Sequence, residues 1–172
     1  TRDAVDAFNK NKNNDAFFFT NIPKTLKTEW CARGMCEILE QNDVLTEEMG
    51  VRGANAWDIQ EKMTSKGNST SIYNIYDDAS FQGDNKPTTA ADVKAKTVAV
   101  KVKSQTTADM YKSGDIVGIY WPDSDQYGKV LNSKTYNTHV GFVSNDANGN
   151  PQITHNVHGN VRTESWDKLS GK

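Results

Sequence analysis

The chain of 172 residues carries 20 Lys and Arg against 22 Asp and Glu, for a net charge of −2 at neutral pH and a pI near 5.9. That is one domain's worth of sequence, and its charge balance excludes both the basic face of a nucleic-acid binder and the Lys-rich amphipathic run of a membrane-surface helix. Leu, Ile, Val and Phe make up just under roughly a fifth of the residues, the level at which disorder becomes a concern, but the small net charge and the 6 Phe, 6 Tyr and 4 Trp favour a folded core carrying polar loops.

The low-complexity run over 9–15 predicts a solvated loop. Phe17, Phe18, Phe19 and Ile22 follow as a small apolar cluster closed by Pro23. The strongest helix signal starts at Thr28, a good N-cap, with Glu29 in the first turn and Ala32, Met35, Cys36 and Leu39 at i, i+3, i+4 and i+7, ending near Gln41. A second helix is expected over 54–65, anchored by Trp57, Ile59 and Met63 and stopped by Gly67. The stretch from about 68 to 97 is rich in Asp, Asn, Ser, Thr and Gly and reads as a polar insertion with one short helix at 90–95. Val98, Val100 and Val102 alternate with polar residues and predict a strand, and further strands are expected at 115–121, 138–144, 152–156 and 161–163, with turns at 146–151 and 158–160. Helices followed by an antiparallel meander give an α+β fold in a single domain spanning 1–172.

Two cysteines five positions apart on one helix point roughly 140° away from each other, so Cys31 and Cys36 are expected to be free thiols. Under a Thr28 cap, Cys31 takes the third helical position, where unpaired N–H groups and the positive end of the helix dipole favour a thiolate and an oxyanion. Cys36 falls on the apolar stripe and reads as a small buried hydrophobe. A nucleophilic thiol needs a base, and the three histidines are all in the last third of the chain, at 139, 155 and 158. His139 opens the strand THVGFVSN. Strand alternation allows either His155 or Asn156 to lie beside it and orient its ring, but not both. A competing reading makes His139, His155 and His158 zinc ligands together with a carboxylate, and it has little specificity at this spacing. Asp115, in GDIVG, reads as structural.

The runs WCARGMCEILEQ at 30–41, GANAWD at 53–58, GDIVGIYW at 114–121, THVGFVSN at 138–145 and PQITHNVHGNV at 151–161 come in an order that resembles the NlpC-like and CHAP-like cysteine peptidases and amidases of bacteria and phages, over roughly 28–65 and 108–166. The resemblance implies a papain-like core with N-terminal helices packed on a C-terminal antiparallel sheet, Cys31 as nucleophile and His139 as general base. It implies His155 as third member if the pattern is NlpC-like, and Asn156 if it is closer to CHAP; His155 is the preferred assignment. It implies no cofactor and no metal, and a peptidoglycan or muropeptide substrate cleaved at an amide by a stem-peptide endopeptidase or an amidase, with Trp30, Trp57, Tyr120 and Trp121 as groove walls. Trp30-Cys31-Ala32-Arg33 departs from the commoner Asp-Cys-Ser-Gly and points to the phage lysins and the antibacterial amidase toxins delivered between cells, for which an immunity protein is a natural partner. The chain starts at Thr1 with no visible signal peptide, so a fragment or processed product is expected, acting in the periplasm or cell wall after secretion or delivery, without membrane insertion and without nucleic acid. The rival expectations are a non-catalytic wall-binding or structural module of the same fold, and a Cys–His deamidase or acyltransferase.

Overall fold

The structure is a computed structural model that describes residues 19, 21–66, 75–103, 113–119, 131, 136–166 and 168. The loop expected over 9–15, together with Tyr120 and Trp121, lies outside the described residues. Helices α1 (Cys31–Gln41), α2 (Thr46–Met49), α3 (Ile59–Ser65) and α4 (Ala90–Lys103) precede strands β1 (Ile116–Ile119), β2 (His139–Asn145), β3 (Pro151–Val157) and β4 (Asn160–Ser165), which form one antiparallel sheet in the order β1-β2-β3-β4. The fold is therefore α+β, helices first.

The sheet has two distinct faces because side chains alternate along each strand. Val140 and Phe142 of β2 point towards α1 and join Ala32, Met35, Cys36, Ile38 and Leu39 in the main core. Phe19 closes this core with its ring 4.5 Å from that of Phe142. Burying each of the larger of these side chains contributes about 1.5–3 kcal/mol, so the α1–sheet interface is where the helix that begins at Cys31 is held. On the opposite face Val117, Val143, Ile153 and Trp166 form a smaller cluster, and His139 and His155 lie on that same side.

Register follows from the pairs Phe142↔Thr154 and Thr154↔Thr163. The β3–β4 turn is only His158 and Gly159, both with positive φ (49° and 88°), the geometry of a two-residue hairpin loop that suits strand twist. The segment before α1 pairs with the far edge of this hairpin: Leu26 N–H donates to Gly159 O, and Val161 N–H donates to Lys24 O. Residues 24–30 are thereby laid along the sheet end and deliver the start of α1 to the mouth of β2 and β3.

Three elements differ from the sequence expectation. The helix starts at Cys31 rather than just after Thr28, because Trp30 is extended (ψ 132°) and Thr28 Oγ1 accepts only the Trp30 N–H from outside the helix. The second helix starts at Ile59 and not 54, since 55–58 form a turn in which Asp58 N–H donates to Asn55 O while Asp58 Oδ1 accepts from Asn55 N–H at 2.6 Å. The strand expected at 98–102 is the second half of α4, which runs to Lys103 rather than stopping at 95. Its buried Val93, Thr97 and Val100 follow helical spacing, and the two valines pack with Tyr76, Phe81 and Tyr136 in a separate cluster. Part of the expected polar insertion is thus ordered as α4 and three short 3₁₀ turns at Ile75–Asp77, Ala79–Phe81 and Gly83–Asn85.

Candidate active site

Cys31 is the first residue of α1, and Trp30 O accepts the first helical hydrogen bond from Gly34 N–H at 2.9 Å. The N–H groups of Cys31, Ala32 and Arg33 therefore precede the intrahelical ladder, as those of any helix start must. Those of Val140, Ala32 and Cys31 itself lie against the Cys31 sulfur, yet burial outweighs them and pushes the thiol up from its ordinary value. The sequence reading expected a thiolate favoured by the helix start. Moving Cys31 from the third to the first helical position, half-buried beside the sheet, leaves a protonated thiol at neutral pH instead.

A groove of about 1260 Å³ opens at this point and is shared by Cys31 and His139, with Trp30, Arg33, Trp57 and His158 among the residues lining it. Trp30 is 58 % exposed, whereas Trp57 is half-buried and also packs against the α4 cluster. Of the four aromatics expected to wall a groove, the structure brings these two to it, and the other two lie outside the described residues.

His139 opens β2 and is buried, with Nε2 2.8 Å from His155 Nδ1 and the two rings nearly perpendicular at 84°. His155 is fully buried, and its other ring nitrogen, Nε2, lies 2.6 Å from Glu164 Oε2. Lys168 Nζ donates to the second oxygen of that carboxylate, Glu164 Oε1, at 2.8 Å. Desolvation, reinforced by the neighbouring His155, lowers the His139 pKa to about 3, so the ring is neutral throughout the physiological range. The Lys168 ammonium, joined by the His155 contact, holds the Glu164 carboxyl below the usual carboxylate range.

Gly141 makes the two-histidine contact sterically possible. It lies on the same face as His139 and opposite His155, and a Cβ built there would come 2.7 Å from Thr154 O and 3.1 Å from His155 Cβ. The Val-Gly that follows His139 thus has two physical jobs: Val140 anchors the strand to α1, and Gly141 leaves room for His155.

Asn156, adjacent to His155, points to the other face. Its Nδ2 donates to Thr28 O at 2.9 Å and to Trp30 O at 3.1 Å, fastening the backbone that enters α1. Alternation therefore separates the two candidates for third member: His155 touches His139, and Asn156 holds the segment ahead of Cys31. Glu164 and Lys168 carried no sequence signal, because their link to His155 depends on the β3–β4 register, in which Glu164 pairs with Ile153 and lies diagonally next to His155.

Cys36 is buried and its thiol donates to Val51 O at 3.3 Å; burial, with Glu40 adding to it, pushes its pKa up to about 12. Both cysteines are free. His158 lies on the groove rim in the hairpin turn. Among the described residues no group of three or more His, Cys, Asp or Glu side chains is placed to hold a metal ion, and no helix is long and apolar enough to cross a membrane. Compared with protein-family models, with curated proteins and with solved structures, the chain matches none.

Proposed function

We propose that this protein is a cysteine hydrolase that cleaves an amide bond in peptidoglycan, through a papain-like arrangement similar to that of the NlpC-like and CHAP-like enzymes. The observation that carries this reading is the groove shared by a thiol at a helix start and a neutral imidazole whose Nε2 is held by a second buried histidine. A neutral thiol beside a neutral imidazole suits general-base catalysis, in which the proton moves as the bond forms rather than beforehand.

In the proposed reaction, Cys31 Sγ attacks the amide carbonyl carbon while His139 takes the thiol proton. Negative charge grows on the carbonyl oxygen, and N–H groups at the start of α1 are suited to stabilise it. Collapse of the tetrahedral species expels the amine, which takes the proton back from His139 and leaves a thioester on Cys31. Water, deprotonated by the same ring, then releases the acid and restores the thiol. The His139 cation formed between these steps gains from the Glu164 carboxylate, reached through His155.

The groove is open enough for a branched peptide, and Trp30 and Trp57 offer flat faces to a sugar or an alkyl side chain. Such a substrate places the site of action in the cell wall or periplasm, and a protein that fills the groove is the partner expected if the enzyme passes between bacteria. The test is digestion of defined muropeptides followed by mass spectrometry. Wild-type protein is expected to release one new amine and one new carboxyl terminus per cut, and Cys31→Ala to release none. Wall binding without cleavage by the wild type, or an active Cys31→Ala variant, rejects the reading.

A further inference from the structure

Four side chains run in a line from the groove to the protein surface: His139, His155, Glu164 and Lys168, joined by contacts of 2.8, 2.6 and 2.8 Å. Each contact needs one donor and one acceptor, and only Lys168 and Glu164, at the surface end of the line, have a fixed role. Lys168 can only donate, and an ionised Glu164 can only accept. We propose that Glu164, held by Lys168, is a positioning residue that dictates the tautomers of both histidines and so decides which nitrogen of His139 is the base; the inference rests on the hydrolase reading above.

Lys168 occupies Oε1 of Glu164, so Oε2 is the oxygen facing His155. An acceptor there requires the proton of His155 to sit on Nε2. A neutral His155 then presents a lone pair at Nδ1, and His139 must donate to it from Nε2. The His139 proton is thereby fixed on Nε2, which leaves Nδ1 with the lone pair, and in the proposed reaction it is Nδ1 that takes the Cys31 proton. A second proton on His155 would reverse the last contact and move the His139 proton to Nδ1, disabling the base. Complete burial of the His155 ring opposes that second charge.

The carboxylate acts through its two equivalent oxygens, which makes Glu164→Gln an informative perturbation. An amide has one acceptor and one donor end. With Lys168 holding the single oxygen, the NH₂ group faces His155 Nε2 and forces it to accept. The whole line then reverses, and His139 is left protonated on Nδ1. Removing the lysine as well, in Glu164→Gln/Lys168→Met, frees the amide to turn its oxygen to His155 and return the line to its original direction.

The test is long-range ¹H–¹⁵N correlation on ¹⁵N-histidine-labelled full chain at neutral pH, alongside muropeptide kinetics and the rate of Cys31 alkylation by iodoacetamide. In wild type both rings are expected neutral with the proton on Nε2. In Glu164→Gln both protons are expected on Nδ1, with kcat lowered about 10³-fold and KM changed less than about threefold, the pattern of a base in the wrong tautomer. The double variant is expected to regain the Nε2–H tautomers and at least about a tenfold part of the lost kcat, while Lys168→Met alone keeps both. Glu164→Gln rings that keep the wild-type tautomers, or a doubly protonated His155 in the wild type, overturn the proposal. Absence of muropeptide cleavage by the wild type rejects the hydrolase reading instead, and the ring tautomers and the alkylation rate still decide this one.

Discussion

Gly34 lies in α1 where the helix crosses β3, and the space for a side chain there is already taken. A Cβ at position 34 would fall 2.4 Å from Asn156 Nδ2 and 2.8 Å from its Cβ and Cγ, so Gly34→Ala must push the helix from the strand or turn the amide away. Turning it away breaks the bonds to Thr28 O and Trp30 O, each contributing about 1 kcal/mol. Pushing the helix away instead forces a methyl into a filled interface and costs about 1–3 kcal/mol. Against either, Ala exceeds Gly in a helix interior by about 1 kcal/mol. The net is a destabilisation of about 1 kcal/mol, read as a lower urea midpoint at unchanged slope. The same substitution made in an Asn156→Gly background meets no side chain, so only the helix preference remains and it should be neutral or stabilising by up to about 1 kcal/mol. A Gly34→Ala variant that is more stable than wild type, or that has the same effect in both backgrounds, would refute the proposed clash and with it the role of Asn156 as the clasp on the segment ahead of Cys31.

Two further outcomes follow from the titrating groups. His139 has its folded pKa depressed to about 3, so it contributes stability in full above the ordinary histidine value and loses it as pH falls towards 3, because the unfolded chain takes up the proton first. At pH 4.5, about two units below that ordinary value, the loss is about 2.7 kcal/mol; urea melts at pH 7 and pH 4.5 should show it in wild type and a much smaller difference in His139→Gln, and equal losses in the two would sink the account. Iodoacetamide at pH 8 should label Cys31, which opens on the groove, well before Cys36, which is buried against Val51 O with its pKa near 12. Peptide mapping checks the order, and faster labelling of Cys36 would contradict it.

How far the sequence could be read depended on whether each signal was local. The stripe Ala32, Met35, Cys36 and Leu39 marked α1 because its apolar spacing is a property of the helix alone, and the alternation in THVGFVSN and QITHNV marked β2 and β3 for the same reason. The strand expected from Val98, Val100 and Val102 was misleading because an alternation this short is outweighed by a longer helical pattern that runs into it. The competing signal was upstream, where Thr89 Oγ1 accepts from Asp92 N–H at the start of α4 and Val93, Thr97 and Val100 form the buried stripe. In the site, the Cys31 and His139 positions were visible through motif order, whereas the thiol's protonation was not. That property depends on how deeply the first turn of α1 is buried against β2, which no spacing encodes. Glu164 was invisible for a related reason, since an isolated carboxylate near the end of a polar strand looks like any solvated one until the register places it beside His155.

The site therefore depends on register more than on any single side chain. His155 and Asn156 are neighbours in sequence but serve opposite faces of the sheet, one holding the His139 ring and the other the backbone ahead of Cys31. A slip of β3 by one residue would exchange them and disable both halves together. The apolar pattern on the two faces resists such a slip only partly, because Ile153 and Val157 lie on one face and the buried residues of the other face are polar. A ladder of hydroxyls supplies the missing specificity: the buried Ser144 Oγ lies 3.0 Å from the buried Thr154 Oγ1, which lies 3.0 Å from Thr163 Oγ1 on the exposed edge strand. This line crosses β2, β3 and β4 at the one position where all three hydroxyls meet, and any other register leaves buried oxygen atoms without partners at a cost of about 1–3 kcal/mol each. The abundance of threonine, which lowers the apolar fraction of the chain to the edge of what a folded domain needs, is thus partly the means by which the sheet fixes His155 on one face and Asn156 on the other.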